Sequence, residues 1–267
     1  MLKVKTSPED NNTAVIKVSS LSFSYGSGKL ISDLSLSLMK GEILAVLGPN
    51  GVGKTTLLKI LAGLLKKYSG SFKIEKEVSY VPQIFSTGVN YTVYNMVLLG
   101  RAGHLGLFSS PGELDREKAY EAVKKAGIEG LSDRKFSEIS GGEKQLTLIA
   151  RALASGAEVL LLDEPTSDLD IKNQERMLEL LSELSLKSDF TIIFSTHDPS
   201  HALAVSDRSI FLGKGGISQC GATEEIITDE NIKKYYSANV KVTKLEIEGK
   251  SLTYCLPIYN IIKREKV

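Results

Sequence analysis

An α/β fold with a parallel central sheet is predicted for this chain of 267 residues, and three observations carry the prediction. Residues 43–47 form a continuous apolar run that ends at a glycine, which is typical of a strand buried on both faces. Apolar residues at helical spacing follow over residues 54–65. The alternation returns with apolar runs at residues 159–162 and 190–195 and a helical pattern over residues 171–186 between them.

Further elements are expected on both sides of this core. Residues 15–25 and 30–38 alternate apolar and polar side chains, which predicts antiparallel strands with one solvated face. Residues 78–81 predict another short strand. Beyond it, no run before about residue 154 is typical of a strand. We therefore predict an inserted helical subdomain with helices at residues 91–99, 114–126 and 142–154.

The C-terminal part is predicted to contain a hairpin at residues 209–212 and 216–219 and, after residue 223, a short helix and an alternating strand at residues 241–248. The role of this tail is not visible in the sequence. We expect one domain over residues 1–267, divided into a core (residues 14–83 and 155–225), a helical subdomain (residues 84–154) and a C-terminal extension (residues 226–267).

Composition excludes some classes of function. Lysine and arginine (33) nearly balance aspartate and glutamate (32), so we expect no nucleic-acid partner. Cys220 and Cys255 belong to no paired motif, which fits a reducing compartment. The N-terminus has no apolar signal core, and no uncharged apolar run approaches the ~18 residues of a membrane span. We expect a cytoplasmic protein that relies on other chains for any membrane path.

A phosphate-binding loop is predicted between the 43–47 strand and the following helix. Its sequence is Gly48-Pro49-Asn50-Gly51-Val52-Gly53-Lys54-Thr55, which fits the pattern G-x-x-x-x-G-K-[ST], and Thr56 extends it. Glycines let backbone amides face phosphate oxygens, and the helix N-terminus adds positive potential. Lys54 is expected to contact the β- and γ-phosphates of ATP, and the Thr55 hydroxyl to ligate Mg²⁺.

Two carboxylates, Asp163 and Glu164, follow the apolar run at residues 159–162. The carboxyl ends of parallel strands are where α/β folds bind their ligands. Asp163 is suited to the Mg²⁺ shell, and Glu164 is suited to polarise the water that attacks the γ-phosphate. An acidic pair alone could be a surface turn, but the phosphate-binding loop upstream favours the functional interpretation.

The segment Ser140-Gly141-Gly142-Glu143 precedes a predicted helix. Helix capping is one explanation, since a serine cap stabilises a helix by about 1 kcal/mol. Capping does not explain two consecutive glycines, whose amides would be exposed at the helix N-terminus as a second anion site. No phosphate of the same chain is expected there. The γ-phosphate of a nucleotide held by another subunit would satisfy this site.

In this order the motifs resemble the ATP-binding subunits of ABC transporters, over about residues 14–225. The resemblance implies a P-loop NTPase (RecA-like) core with an antiparallel β subdomain and the helical insertion, working as a homodimer. It also implies that Tyr25 stacks on adenine, that Gln83 reaches Mg²⁺, that Asp168 lies in a segment crossing the dimer interface, and that His197 contacts the γ-phosphate.

The chain departs from the family pattern at several positions. Ile139 stands where leucine is usual, Glu143 where glutamine is frequent, and Asp168 where alanine or asparagine is more common. Lys54 and Gln83 are 29 residues apart (83 minus 54), which is short for the family. This spacing suggests a trimmed strand connection near residues 71–77.

A narrower resemblance comes from Thr92-Val93, the stretch at residues 100–108, and Pro111-Gly112, which are similar to importers of iron complexes, haem or cobalamin. It implies a multi-spanning permease docked at about residues 84–112, an extracellular solute-binding protein, and a location on the cytoplasmic face of the membrane. His104 has no companion at ligand spacing, so a metal site there is not expected.

Three alternatives remain open. The first is a soluble ABC-type ATPase of iron–sulfur cluster assembly, the second an importer of another solute such as an oxyanion or metal ion, and the third a nucleotide-binding interaction module without catalysis.

Overall fold

The computed structural model describes residues 14–26, 28–83, 90–106, 109–188 and 190–258. The strands are β1 (Ile16–Tyr25), β2 (Gly28–Leu38), β3 (Ile43–Leu47), β4 (Ser69–Ile74), β5 (Val78–Val81), β6 (Val159–Leu162), β7 (Thr191–Thr196), β8 (Arg208–Leu212), β9 (Ser218–Ala222), β10 (Val240–Ile247) and β11 (Lys250–Pro257). The α-helices are α1 (Lys54–Leu61), α2 (Val93–Leu98), α3 (Glu113–Lys125), α4 (Gly141–Ala154), α5 (Ile171–Ser188), α6 (Pro199–Val205), α7 (Thr223–Ile226) and α8 (Asp229–Tyr236).

The central sheet has six strands in the order β5-β6-β7-β3-β8-β9. All neighbours are parallel except the edge pair β8 and β9. Every residue of β3, β6 and β7 is buried, as the continuous apolar sequences of β3 and β6 predict. The predicted α/β class is confirmed, and the carboxyl ends of β3, β5, β6 and β7 lie along one edge of the sheet.

A second, antiparallel sheet has the order β2-β1-β4. Its apolar face packs with the buried face of α1 and with Val46 of β3 in one hydrophobic cluster. Strand β4 was not predicted; it lies where a trimmed connection was expected and pairs with β1. Helix α1 is shorter than predicted. It ends at Leu61 because Gly63 adopts a positive φ of 72°, and Leu64 is then 60% exposed.

The helical insertion consists of α2, α3 and α4, which pack on one another and share a core with β3, β6 and β7. Within residues 90–106 and 109–154 there is no strand, as predicted, although Thr92 and Lys135 form an isolated bridge. The predicted helix over residues 91–99 is divided into α2 and a 3-10 turn at Leu99–His104. Leu107 and Phe108 of the importer-like stretch lie outside the described residues.

The C-terminal extension has more structure than the predicted helix and strand. Helices α7 and α8 are followed by a hairpin in which β10 pairs with β11. The hairpin predicted near residue 213 is present, but its second strand begins at Ser218, because the chain turns at Lys214–Gly216. Among the helices of the described residues, none is long and apolar enough to cross a membrane.

Candidate functional site

The phosphate-binding loop joins the end of β3 to the start of α1. Gly53, with a φ of 109°, precedes the first helical residue, Lys54. The Lys54 side chain is buried, and its Nζ donates hydrogen bonds to the carbonyl oxygens of Gly48 (2.8 Å) and Pro49 (3.2 Å). The loop therefore wraps around its own lysine.

Close packing fixes the first residue of this loop. A Cβ on Gly48 would lie 2.4 Å from the carbonyl oxygen of Leu212 in β8, so only glycine fits. The Val52 side chain is buried beneath the loop and would also touch that Cβ, at 2.9 Å. Asn50 and Gly51 are exposed. The loop thus has a packed base and an open rim, as a phosphate cradle requires.

Asp163 is a buried acceptor of three hydroxyl groups at the end of β6. Its Oδ1 accepts from Thr55 (3.0 Å) and Ser195 (2.8 Å), and its Oδ2 accepts from Tyr80 (3.2 Å). Burial and the nearby carboxylate raise the pKa of Tyr80 far above its ordinary value, so its hydroxyl remains a donor. Thr55 and Asp163 are therefore already adjacent.

The donor set around Asp163 fits Mg²⁺. A threonine hydroxyl, a carboxylate and the amide of Gln83 supply the oxygen ligands that this ion prefers. Gln83 donates through Nε2 to Ser167 Oγ (3.2 Å), which leaves its amide oxygen for a ligand. No group of three or more His, Cys, Asp or Glu residues in the described part of the chain could hold a metal alone. Substrate phosphates would complete the Mg²⁺ shell. His104 does not belong to this site, since its Nε2 contacts the Ser155 carbonyl oxygen.

Glu164 lies between the loop lysine and a histidine. Its Oε1 is 3.1 Å from Lys54 Nζ, and its Oε2 is 3.3 Å from Nδ1 of His197 at the end of β7. Glu164 has a positive φ of 46°, and its N–H donates to Ser195 Oγ at 2.8 Å. That hydrogen bond holds the strained backbone of Glu164 in place, and in this conformation the carboxylate lies against the loop lysine. His197 is 57% exposed and free to meet a ligand.

Lys54, Thr55, Gln83 and Glu164 line a cleft of about 570 Å³. Tyr25 lies on its rim, is 58% exposed, and rests edge-on against Phe23 with ring centroids 4.8 Å apart. The cleft is lined by Tyr25, Gly28, Leu30, Asn50, Gly51, Gly53, Lys54, Thr55, Thr56, Gln83 and Glu164. It combines cationic and amide groups with an aromatic ring, which suits a nucleotide.

The segment Ser140–Glu143 forms a capping box at the start of α4. Ser140 N–H donates to Glu143 Oε2 (2.7 Å), and Glu143 N–H donates to Ser140 Oγ (3.4 Å). The Ser140 N–H lowers the pKa of Glu143. A Cβ on Gly142 would lie 3.0 Å from the Asn173 side chain of α5, so this position is also closely packed. Gly141 faces open space, and none of these four residues lines the cleft.

A comparison with protein families decides the identity of this arrangement. Residues 31–167, about half of the chain, match the family described as ABC transporter. The chain belongs to the ABC transporter family. It corresponds to the ATP-binding domain, which hydrolyses ATP, so the protein is an ABC-type ATPase.

Two curated relatives support this assignment over most of their length. The molybdate import ATP-binding protein MolC of Haemophilus influenzae is 36% identical over 248 residues, covering 92% of this chain and 98% of the relative. The iron(3+)-hydroxamate import ATP-binding protein FhuC of Bacillus subtilis is 32% identical over 259 residues, covering 92% and 95%.

Solved structures have the same fold. An inward-facing metal-chelate type ABC transporter matches with a TM-score of 0.89 and 35% identity, over 93% of this chain and 99% of that chain. The dimeric bacterial ABC transporter cassette MJ0796 matches with a TM-score of 0.68 and 27% identity, over 78% and 98%.

The ABC ATPase also contains site residues that the sequence analysis missed. Ser195 bridges Asp163 and the Glu164 backbone, and its place at the end of a buried strand beside β6 was a usable signal. Tyr80 donates to Asp163 from the neighbouring strand β5. Asp168, by contrast, was named from the family resemblance, and it has a positive φ of 58° in the segment between β6 and α5.

Proposed function

We propose that this ATPase is the subunit that energises an ABC importer by binding and hydrolysing ATP between two copies of itself. One observation carries the proposal. The phosphate-binding loop, Glu164, Gln83 and Tyr25 line one cleft, and Asp163 is hydrogen-bonded to Thr55 of that cleft, whereas the Ser140 segment presents an open helix start that does not line it. Half of the expected nucleotide site is thus assembled in one chain, and the other half does not line that cleft.

Within one subunit, each group at the cleft has a distinct task. Lys54 and the loop amides bind the phosphates, and Tyr25 stacks on the adenine. Thr55, Asp163 and Gln83 hold the Mg²⁺, which neutralises phosphate charge when bound. Phosphate oxygens displace Glu164 from Lys54 as ATP enters, because a phosphate carries more charge than a carboxylate.

The released Glu164 carboxylate then polarises the attacking water, with His197 beside it at the γ-phosphate. Glu164 takes a proton from the water as the water oxygen bonds to the γ-phosphorus, and the bond from that phosphorus to the bridging oxygen of ADP breaks. ADP and inorganic phosphate leave, and Glu164 returns its proton to the products or to solvent. The geometry supports this sequence of events, because one carboxylate touches both the loop lysine and the exposed histidine.

The second half of the site comes from the partner copy. Gly141 is open to solvent, and the N–H groups of Gly141 and Gly142 have no intrahelical acceptor, unlike that of Glu143, which donates to Ser140 Oγ. They bind the γ-phosphate that the other subunit presents, and Asp168 lies at the interface. The dimeric form of a solved cassette with the same fold supports this homodimer.

The transported solute is an iron complex or cobalamin in the leading proposal, supported by the iron-hydroxamate relative and the metal-chelate type structure. Molybdate is the second candidate, because the molybdate relative is 36% identical over nearly its whole length.

In either case a multi-spanning permease docks at about residues 84–112 from the cytoplasmic face, and an extracellular solute-binding protein delivers the cargo. No nucleic acid is involved.

Capture of the full-length protein from its own cells tests the importer proposal. A tagged chain should co-purify from detergent-solubilised membranes with a many-helix permease. In vesicles containing that complex and its solute-binding protein, ferric hydroxamate or cobalamin should stimulate ATP hydrolysis, and molybdate should not. Stimulation by molybdate alone would transfer the assignment to the oxyanion class. Recovery only in soluble complexes would overturn the importer and favour an assembly ATPase.

A further inference from the structure

We propose that Tyr236, in the C-terminal extension, is a positioning residue for the phosphate-binding loop. Tyr236 is the last residue of α8, and its hydroxyl oxygen accepts the N–H of Gly48 at 2.8 Å. The two residues are 188 positions apart in the chain. Tyr236 lies outside the part that matches the family, residues 31–167, yet it bonds directly to the first residue of the loop.

Gly48 is confined on two sides. Because Gly48 has no side chain, the Leu212 carbonyl oxygen can pack against its Cα; a Cβ at this position would clash with that oxygen. The Tyr236 hydroxyl binds its N–H. The carbonyl of the same residue accepts from Lys54 Nζ at 2.8 Å. One peptide segment therefore connects the C-terminal helix to the lysine that the nucleotide must engage.

Aromatic contacts hold the tyrosine in place. Phe211 of β8 stacks on Tyr235 with ring centroids 4.9 Å apart and meets Tyr236 edge-on at 6.2 Å. Strand β8 pairs with β3, whose last residue Leu47 is opposite Phe211 and precedes Gly48. Helix α8 is thus anchored to the strand beside the loop. Burial raises the pKa of Tyr236 far above its ordinary value, so the hydroxyl is neutral throughout the working pH range.

The bond matters because a buried amide without an acceptor is costly. Without the hydroxyl, Gly48 N–H loses its acceptor, and the loop can lower its energy only by moving. A displaced Gly48 carbonyl also shifts the position of Lys54. The extension therefore holds the empty loop in its phosphate-ready shape, a role that applies to ATP binding whether or not the importer assignment is right.

A pair of adjacent tyrosine substitutions tests this role. Tyr236→Phe removes the hydroxyl that binds Gly48, whereas Tyr235→Phe removes a buried hydroxyl with no hydrogen-bond partner among the described residues. In the full-length protein, Tyr236→Phe should weaken Mg-ATP binding by about threefold to tenfold, as expected for one lost hydrogen bond. Tyr235→Phe should leave ATP affinity unchanged. Equilibrium titration with ATP measures both.

Two further readouts separate positioning from general stability. Hydrogen exchange of the Gly48 amide should accelerate in Tyr236→Phe and stay as in the wild type in Tyr235→Phe. KM for ATP should rise more than kcat falls, because the loop is misplaced before ATP binds and repositioned once it is bound. Equal ATP affinity and equal Gly48 exchange in the two variants would overturn the proposal. So would a loss of ATP affinity in Tyr236→Phe without faster exchange at Gly48.

Discussion

At the scale of single residues, the main feature is the buried pair of Lys54 and Glu164. The side chains are only 5% and 12% exposed, and the charged atoms are 3.1 Å apart. A lysine buried among carbonyl oxygens needs an anion, and without nucleotide Glu164 supplies it. In the proposed mechanism, the carboxylate that activates water therefore also neutralises Lys54 in the empty loop. ATP has to compete with it, so the two tasks of Glu164 act against each other.

Glu164→Gln is expected to separate these two tasks. The amide cannot accept the water proton, so kcat should fall by about 10²- to 10⁴-fold. It also removes the negative charge beside Lys54, so ATP should bind at least about tenfold more tightly, because the buried lysine then lacks its anionic partner until phosphate arrives. Single-turnover phosphate release and equilibrium ATP binding measure the two effects.

Glu158→Gln is the matched control for that substitution. Glu158 pairs with Lys76 at 2.9 Å on the surface, so the same chemical change should leave both quantities as in the wild type. Normal turnover in Glu164→Gln would remove Glu164 from the proposed role, and weaker ATP binding would show that the ion pair does not compete with nucleotide.

At the scale of elements, the sequence predicted what periodicity and motif spacing can encode. The buried strands, the loop before α1 and the acidic pair after β6 were predicted because each has a local signature. Strand β4 was missed because Gly70 and two serines weaken its alternating pattern. The end of α1 was misplaced because Leu64 and Leu65 continue the helical spacing beyond Gly63.

Contacts between distant parts of the chain could not be predicted in the same way. The bond between Tyr236 and Gly48 joins two elements whose local patterns contain no information about each other. The same applies to Asn173, whose side chain packs closely against Gly142. Such contacts depend on how helices are placed on the sheet, which only the folded structure shows.

Helix α4 offers a prediction about its cap. Glu143→Ala should lower the free energy of unfolding by roughly 0.5 to 1 kcal/mol, the range for a lost helix cap, and Glu143→Gln should lower it less because an oxygen still accepts the Ser140 N–H. Urea denaturation measures the difference. A loss in Glu143→Gln as large as in Glu143→Ala would mean that charge, not the hydrogen bond, is responsible.

The same cap has a defined pH dependence. The pKa of Glu143 is lowered in the folded protein from its ordinary value of 4.5, so the charged cap stabilises fully above that value. Its contribution is lost as the pH falls through the lowered pKa. The stability difference between the wild type and Glu143→Gln should therefore be constant near neutrality and shrink under acid conditions.

At the scale of the whole molecule, the proposed nucleotide site draws on every part of the described chain. The central sheet supplies the loop and the acidic pair, the antiparallel sheet supplies Tyr25, and the C-terminal extension supplies Tyr236. The helical insertion supplies only the Ser140 segment, which does not reach the cleft of its own chain. This separation is the reason for proposing that a complete site exists only between two subunits.

Mixing two defective subunits tests the shared site most directly. Lys54→Ala should remove the lysine with which the loop binds phosphate, and Ser140→Arg should block the open N-terminus of α4. Each variant alone should lack cooperative hydrolysis. Mixed in equal amounts, they should recover intact sites, because a heterodimer pairs the sound loop of one chain with the sound Ser140 segment of the other. About a quarter of all sites would then be complete, since half of the dimers are mixed and each has one intact site.

The double variant Lys54→Ala/Ser140→Arg mixed with wild type provides the control. Both defects then lie in one chain, so each heterodimer site has one broken half and none is complete. Single-turnover hydrolysis should fall below that of the same wild type diluted with buffer, whereas the two single variants should gain activity on mixing. If each site were built within one chain, the single variants would gain nothing on mixing, and the double variant would not inhibit.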